Sequence, residues 1–244
     1  LLAKNGITVL NGGGPGITAD NCSPYLARCE VHHNAGQGIR ISSSGAGTVK
    51  IEDCDVHDNY GTDAGAIAVN ASGGGSVDIA RCTVRDHNSL RGIGITAGAL
   101  PVKIEDCYVA RCNVAFNGGG VSLSGGANHV VRGNLIEHCR ATGAEARGGG
   151  VHINSGTTLI ERNIVRNNVV TATGSGSTIL VYAGGIYLGS NSDGSTLSNN
   201  EITGNTATAG RRAWGGGVWL ESASNCTLTG NTVTGNSTNY SSTG

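Results

Sequence analysis

The sequence is poor in the side chains that build most protein cores. Its 244 residues include no Met, one Phe and three Pro, while aromatic residues make up 4% and charged residues 14%. A chain of this composition cannot assemble an ordinary core around Phe, Met and Leu. It must bury Ile, Val, Leu and Ala in many thin layers, separated by turns. Gly accounts for 42 residues, well above its usual share of about 7%.

Other absences exclude whole classes of protein. No apolar run approaches the roughly 18 residues of a membrane-spanning helix. The net charge of −1 argues against a broad basic face for nucleic acid. Gly shows no strict period of three, which excludes collagen. There are eight Cys, but no two are spaced as Cys-x-x-Cys, which disfavours zinc ribbons and thioredoxin-like redox motifs.

The sequence does contain a repeat. The segment Ile51-Glu-Asp-Cys54-Asp-Val56-His-Asp-Asn59 has seven relatives, spaced by 25 to 37 residues. We call its Cys54 position the anchor. An apolar residue lies three positions before and two positions after every anchor, and an Asn, His or Cys lies five positions after it. The eight anchors are Cys29, Cys54, Cys82, Cys107, Asn134, Asn163, Asn200 and Asn231.

Each copy offers three short segments in which apolar and polar residues alternate, the third being a pair such as Ile93 and Ile95. Such alternation is typical of strands with one buried face. We therefore predict one all-β domain over residues 1–244, a solenoid of about eight rungs with three short parallel strands each. Residues 1–13 are expected to form a partial N-terminal rung, residues 14–236 the repeats and residues 237–244 a tail.

From about Gly14 to Asn236 the repeat follows the pattern Gly-Ile-x-Leu and then Thr-Ile-x-x-Asn-x-Ile-x-x-Asn. This pattern resembles the right-handed parallel β-helix family, the superfamily of pectate lyases, polygalacturonases and alginate epimerases. The resemblance implies a single right-handed parallel β-helix with long grooved faces, usually extracellular and acting on polysaccharides. The Asn-Thr-Asp, Asp-Asp and Gly-His-Gly segments of polygalacturonases are missing, as is the Asp-Pro-His-Glu segment of alginate epimerases. No catalytic residue is therefore carried over.

Two polar columns are predicted to keep the rungs in register. The Asn residues are expected at sharp corners, because Asn tolerates left-handed backbone, and their stacked amides should hydrogen-bond from rung to rung. A second column places opposite charges on successive rungs, which favours pairing between neighbouring strands. It consists of Arg28, Asp53, Arg81 and Asp106.

The cysteines fall into two groups. The four Cys anchors are predicted to point inward as a stack of small buried side chains. Cys112 and Cys139 fall in one corner column on adjacent rungs, where a disulfide is geometrically possible. The alternative is that both remain thiols.

A polar cluster is predicted on the outward side of the strand that follows the anchor in the first three rungs. Paired carboxylates can raise one another's pKa or hold a divalent ion. Beside an arginine, such a group could also remove the α-proton of a uronate, as a lyase requires. The catalytic candidates are Glu30, Asp55, His57 and Arg85. The metal candidates are His32, His57 and Asp58, with Ca²⁺ as the candidate ion, and a solvated polar face is the alternative.

A second candidate site lies in the last rungs, where aromatic residues take the outward positions of adjacent Gly-Ile-x-Leu strands. The preceding loops, 140–150, 169–185 and 206–217, lengthen along the chain. Aromatic platforms with Arg and Glu suit sugar stacking or a protein contact. The alternative is that loops cover the aromatics. The predicted binding residues are His152, Tyr187, Arg211, Arg212, Trp214, Trp219 and Glu221.

Three functions remain open from the sequence. The preferred one is a non-catalytic extracellular or cell-surface rod, structural or adhesive, with a glycan- or partner-binding face near Trp214 and Trp219. Its open ends are expected either to stack on copies of the chain as a fibre or to result from trimming of a larger protein. The second is a lyase acting on an acidic polysaccharide, and the third is a monomeric carbohydrate-binding module. No nucleic-acid partner, membrane span or cofactor is expected, with Ca²⁺ as the one candidate ion left open.

Overall fold

The computed structural model describes residues 2–3, 8–62, 65–173, 180–210 and 212–240, and the elements within these ranges are all β-strands. The first half of the chain forms β1 (Leu2–Ala3), β2 (Thr8–Leu10), β3 (Ile17–Asp20), β4 (Tyr25–Ala27), β5 (Glu30–His32), β6 (Ile39–Ser43), β7 (Val49–Glu52), β8 (Asp55–His57), β9 (Gly65–Ala71), β10 (Val77–Ala80), β11 (Thr83–Asn88), β12 (Arg91–Thr96), β13 (Val102–Glu105), β14 (Tyr108–Ala115) and β15 (Val121–Ser124).

The second half forms β16 (His129–Arg132), β17 (Leu135–Glu137), β18 (Arg140–Gly143), β19 (Val151–Ser155), β20 (Thr158–Glu161), β21 (Ile164–Arg166), β22 (Val169–Ala172), β23 (Leu180–Tyr182), β24 (Ile186–Asn191), β25 (Thr196–Ser198), β26 (Glu201–Thr203), β27 (Thr206–Ala209), β28 (Arg212–Trp214), β29 (Val218–Leu220), β30 (Thr227–Thr229), β31 (Thr232–Thr234) and β32 (Ser237–Tyr240). Within the described ranges, no helix is long and apolar enough to cross a membrane.

The strands assemble into three long parallel sheets, each taking one strand from every rung. Sheet A has the order β1-β4-β7-β10-β13-β16-β20-β25-β30. Sheet B has the order β2-β5-β8-β11-β14-β17-β21-β26-β31, and sheet C runs β3-β6-β9-β12-β15-β19-β24-β29. This arrangement confirms the predicted parallel solenoid of about eight rungs with three strands per rung.

The core consists of stacked apolar columns, as the repeat predicted. In sheet A, Ile51 pairs in register with Ile79, and Ile79 with Ile104, and all three are fully buried. The inner rungs supply at least one such residue from every sheet, whereas Leu228 and Val233 of the last described rung are exposed. Burial of a side chain of this size contributes about 1.5–3 kcal/mol to the free energy of unfolding. Many thin layers can therefore replace one thick core.

The Asn ladder forms, but its corner geometry differs from the prediction. Asn134 Nδ2 donates to Asn163 Oδ1 at 2.9 Å, and Asn163 Nδ2 donates to Asn200 Oδ1 at 2.9 Å, which confirms stacked amides. The left-handed backbone lies one residue earlier, at positions such as Asp53 (φ 55°) and Arg162 (φ 54°). The attribution of left-handed φ to the Asn was therefore wrong. The turn leaves Asn pointing inward, where its amide bonds the backbone of the neighbouring rungs.

The predicted charge ladder is present at the left-handed positions. Arg81 Nε donates to Asp53 Oδ1 at 2.8 Å on the adjacent rung, and its guanidinium also bonds Glu52 at 3.0 Å. The side chains of Arg81 and Asp53 are 52% and 37% exposed, so their pair contributes about 0–1 kcal/mol. Because the charges alternate from rung to rung, the column favours pairing between neighbouring rungs.

A glycine precedes the first buried apolar residue in most strands of sheet C, because a side chain there would crowd the corner residue. In β9 the equivalent residue is Ala66, which is fully buried. A Cβ at Gly150 would lie 2.8 Å from Val165 Cγ1 and 2.9 Å from Asn168 Nδ2. Gly38, the equivalent residue of an earlier rung, would meet Val56 and Asn59 in the same way. The backbone of this column therefore packs directly against the corner residue that the repeat supplies.

The loops of the last rungs form additional strands that were not predicted from the sequence. β18, β22, β27 and β32 extend sheet B alongside β14, and β23 pairs with β28. Their inward residues, with Val114, form a separate small apolar cluster. Residues 237–240 were predicted to be part of a tail, but they form β32, because Ser237 to Tyr240 pair in register with Thr206 to Ala209.

The candidate disulfide between Cys112 and Cys139 is not formed in the structure, where both are free and fully buried thiols, the alternative left open by the sequence. The flanking pairs Ala110–Glu137 and Asn113–Arg140 confirm that they share a column. In-register parallel strands keep the two Cα–Cβ bonds parallel, whereas a disulfide needs the Cβ atoms to converge to about 3.8 Å. Each thiol instead donates to a carbonyl of its own rung, that of Cys112 to Ala110 at 3.3 Å. The four Cys anchors are buried, as predicted.

Candidate functional site

The outward face of sheet C carries a groove across β6, β9, β12 and β15. Its volume is about 370 Å³. The floor consists of small side chains in one register column, where Ala68 pairs with Gly94 and Gly94 with Ser122. A parallel column of hydroxyl and amide groups follows the floor along one side, formed by Ser42, Asn70, Thr96 and Ser124.

Two arginines provide the charge of this groove. Arg40 heads the floor column, in register with Ala68, and its exposed guanidinium lies 3.4 Å from Asp20. Arg91 crosses the floor, since a Cβ at Gly94 would lie 2.9 Å from Arg91 Cδ. The missing side chain at Gly94 thus provides the space in which the aliphatic part of Arg91 lies. The described residues that line the groove include no carboxylate, so the groove is suited to an anionic ligand.

The groove ends at an aromatic cluster that occupies the same column on the following rungs. Ser122 pairs in register with His152, His152 with Tyr187, and Tyr187 with Trp219. The His152 and Tyr187 rings stack with centroids 5.1 Å apart. Loop residues add a second layer, in which Tyr182 stacks on Trp214 at 5.0 Å.

The predicted binding face is only partly accessible. His152 and Tyr187 are buried, at 5% and 3% exposure, because loop side chains such as Arg147 and Tyr182 pack over them. They cannot serve as a surface platform, so the prediction was wrong for these two residues. Trp214, Trp219 and Glu221 are half-buried, Arg212 is exposed, and Arg211 lies outside the described residues.

Burial and charge set the protonation of this cluster. Burial lowers the pKa of His152 to about 3, and the positive charges of Arg91 and Arg147 act in the same direction. Its Nδ1 lies 3.2 Å from Ser122 Oγ. Burial and a hydrogen bond from its hydroxyl to Glu221 raise the pKa of Tyr187. His152 is therefore neutral at the end of the groove.

The sheet B polar cluster forms as the repeat predicted. Glu30 pairs in register with Asp55, and His32 with His57, whose rings stack at 4.8 Å. Arg85 lies on the next rung, 3.2 Å from Asp55 and 3.1 Å from Asp86. The structure thus brings the four catalytic candidates together, but it engages Arg85 with carboxylates of the chain itself. Catalysis here stays a prediction.

Asp86 is the centre of this ion-pair network. Arg111 donates to it through Nε at 2.5 Å, and hydrogen bonds from Arg111 and Arg85 lower its pKa to about 2. A carboxylate held in this way stays ionised. Its role is to anchor two arginines of adjacent rungs.

The metal candidates also lie together. The ligand atoms of Glu30, His32 and His57 are within 4.8 Å of one another, and Asp58 Oδ2 lies 2.8 Å from His57 Nδ1. From the sequence, His32, His57 and Asp58 were the metal candidates, while Glu30 was a catalytic candidate. Two imidazoles with a carboxylate are not the all-oxygen donor set that Ca²⁺ prefers.

The groove with Arg91 was not identified from the sequence. The outward column that contains Ala68, Gly94 and Ser122 was visible there, but the run of small side chains at its centre carried no chemical signal. Whether this column can bind a ligand depends on Arg40 and Arg91. The position of Arg91 follows from its packing over Gly94.

Among known proteins, the chain matches one family model. Neither the curated proteins nor the solved structures contain a match to this chain. Residues 5–73 and 61–243 match the family described as right handed beta helix region, and these matches together cover nearly the whole chain. With the parallel three-sheet solenoid described above, they show that the chain belongs to the right-handed β-helix family.

Proposed function

We propose that this protein is a non-catalytic β-helix that binds an anionic polysaccharide along the groove of sheet C. The observation that carries the proposal is the combination of a small-residue floor with Arg40 at its head and Arg91 lying across it. Guanidinium groups bind carboxylates in bidentate geometry, which suits uronate sugars. The adjacent column of hydroxyl and amide groups offers partners for sugar hydroxyls.

The shape of the groove supports a chain-like ligand. Its floor follows the solenoid axis, with one small residue per rung at a spacing of about 4.8 Å, so that equivalent groups recur along the groove. The aromatic cluster closes one end beyond Ser122, and half-buried Trp219 and Trp214 offer ring faces there. An extended polymer can follow such a surface.

Titration calorimetry with oligogalacturonate and alginate oligomers tests the proposal, with a neutral glucan as the comparison ligand. Native protein should bind a uronate oligomer and not the glucan, with an affinity that falls as salt rises. Arg91→Gln should weaken binding about tenfold to a hundredfold, since a hydrogen bond to a charged group contributes about 1.5–3 kcal/mol. Ala68→Leu should block the groove without changing its charge.

Arg162→Gln is the matched control, because Arg162 is exposed, ion-paired with Glu161, and remote from the groove lining. It should bind as the native protein does. Equal weakening by Arg91→Gln and Arg162→Gln would show that binding is non-specific charge attraction. No binding to any uronate oligomer would contradict the proposal.

The same proposal places the protein outside the cell or at its surface, where anionic polysaccharides occur. Stacking of the solenoid into a fibre stays a prediction, which electron microscopy over a concentration series tests. The lyase alternative rests on the Glu30, Asp55, His57 and Arg85 cluster. It predicts new ultraviolet absorbance from unsaturated uronates, abolished in His57→Ala.

A further inference from the structure

The stacked histidines of sheet B have an arrangement that neither the solenoid nor glycan binding requires. His32 and His57 occupy the same register column on β5 and β8, and their rings lie nearly parallel, with an angle of 9° between the planes. Glu30 lies on the same face as His32, two residues earlier, and its Oε1 is 3.6 Å from His57 Nε2. Three groups able to bind a metal therefore converge on one point of the surface.

Each imidazole is oriented by the residue that follows it. His57 Nδ1 is 2.8 Å from Asp58 Oδ2, and His32 Nδ1 is 2.7 Å from His33 Nδ1. His33 and Asp58 both have left-handed backbone, with φ of 55° and 51°. The left-handed corner turns each of these side chains back towards the preceding histidine. Both Nδ1 atoms are thereby occupied, and the Nε2 atoms are left for a ligand.

From this geometry we propose that Glu30, His32 and His57 bind a divalent transition-metal ion of the zinc class. Two imidazole nitrogens and one carboxylate are the donors that suit Zn²⁺ and its neighbours, and three protein ligands leave one position of a tetrahedron open. A carboxylate on the far nitrogen of a ligating histidine is the usual supporting contact of such sites, and Asp58 supplies it to His57. The three donor atoms lie within 4.8 Å of one another. Side-chain rotations would then bring each of them to the metal–donor distance of about 2.0–2.2 Å that zinc requires.

Charges around the cluster favour a cation. Glu30 and Asp58 contribute two negative charges beside imidazoles that bind metal in their neutral form. The nearest cationic neighbour in the column, Arg85, is held by Asp55 and Asp86. Asp55 Oδ1 is buried and has no hydrogen-bond partner among the described residues, so this face has unused acceptor capacity.

The competing explanation is a plain ion-pair network, in which a protonated His57 joins Glu30 and Asp58. The two explanations predict different behaviour towards added metal. A binding site takes up one ion per chain and orders its ligands around it. An ion-pair network takes up none.

Cobalt(II) chloride, added to the purified protein and followed by visible absorption, separates these cases. We expect uptake of one Co²⁺ per chain with the intense d–d bands of four-coordinate cobalt, and displacement by zinc chloride. Charge-transfer bands from thiolate should be absent, which distinguishes this site from the partly exposed Cys22 and Cys226.

Three variants and one control identify the ligands. His57→Ala and Glu30→Gln should abolish the cobalt bands, and Asp58→Asn should weaken affinity about 10- to 100-fold, the usual effect of losing a supporting carboxylate. His138→Ala is the control, since His138 is an exposed histidine at the equivalent corner of a later rung. It should bind cobalt as the native chain does.

Glu30 is exposed and lies outside the core, so Glu30→Gln tests the site without threatening the fold. The proposal is overturned if the native chain takes up no stoichiometric cobalt. It is equally overturned if cobalt uptake survives in both His57→Ala and Glu30→Gln, or if the bound cobalt shows thiolate charge-transfer bands. Uronate binding should be unaffected in every variant, because the groove lies on a different sheet.

Discussion

Replacement of Asn163 by Ala should be among the most damaging single changes in the solenoid, although it removes a small polar side chain. Asn163 is 1% exposed and makes four side-chain hydrogen bonds between rungs. Its Oδ1 accepts from the backbone N–H and from the Nδ2 of Asn134, both at 2.9 Å. Its Nδ2 donates to Val131 O at 2.8 Å and to Asn200 Oδ1 at 2.9 Å.

The magnitude follows from which partners are left without a bond. Val131 and Asn200 lose one donor each, but Asn200 Oδ1 still accepts the backbone N–H of residue 163 at 3.0 Å. Asn134 loses the acceptor for its buried backbone N–H and for one amide hydrogen. Each buried donor left unsatisfied costs about 1–3 kcal/mol, so we expect the free energy of unfolding to fall by about 2–6 kcal/mol.

Two comparison variants separate this mechanism from loss of volume. Asn163→Cys keeps an acceptor for Asn134, as in the earlier rungs, where Cys82 N donates to Cys107 Sγ at 3.4 Å. Its cost should be clearly smaller than that of Asn163→Ala. Asn231→Ala removes equivalent bonds at a half-buried position, where water can replace them, and should cost about 1 kcal/mol or less.

Urea unfolding followed by far-ultraviolet circular dichroism measures these differences, with the midpoint compared at a common slope. A ranking of Asn163→Ala, then Asn163→Cys, then Asn231→Ala supports the reasoning. The reasoning is refuted if the free energy of unfolding of Asn163→Ala lies within about 0.5 kcal/mol of the native value, or if its urea midpoint is no lower than that of Asn231→Ala. Ladder hydrogen bonds would then not hold the rungs together.

Three further outcomes are expected. Gly150→Ala should lower the thermal midpoint by several degrees, because its Cβ would lie 2.8 Å from Val165 Cγ1, while Gly14→Ala, with open space around it, should not. Burial lowers the pKa of His87 in the folded state. Below the ordinary histidine pKa of about 6.5, the unfolded state therefore binds more protons than the folded state, and stability should fall as pH falls through that value. His87→Asn should reduce this pH dependence in urea titrations at pH 7 and pH 5. Trp214→Ala removes stacking on Tyr182 worth about 0.5–1.5 kcal/mol, and it should lower stability and change the near-ultraviolet circular dichroism.

The sequence predicted the inward half of this molecule well. The columns of Ile51 and of Asn163 recur at fixed offsets from the anchor, and an in-register solenoid must stack equivalent offsets. The pairing of polar residues on neighbouring strands, such as His32 with His57, could be predicted for the same reason. Periodicity thus determines which residues are neighbours on successive rungs.

Periodicity does not determine what covers an outward residue. His152 and Tyr187 were predicted to be accessible because their positions are outward, but Arg147 and Tyr182 reach them from loops whose lengths differ from rung to rung. The strands within those loops were missed because their alternation, as in Thr206 to Ala209, is short and occurs outside the repeat. The left-handed backbone was predicted one position too late. Arg, Asp and His occupy these corners, although Asn was the residue type expected there.

The polar corner column shows what the repeat selects at its inward positions. His87 takes the place of an Asn there, and its Nδ1 accepts the backbone N–H of Asn59 at 3.2 Å while its Nε2 bonds Val56 O at 3.1 Å. Asn168 makes the equivalent pair of bonds, accepting from Cys139 and donating to Ile136. The common requirement is one acceptor and one donor in a buried position, not a particular size. A neutral imidazole meets this requirement and an imidazolium does not, so the burial that keeps His87 neutral is itself a condition for the corner to form.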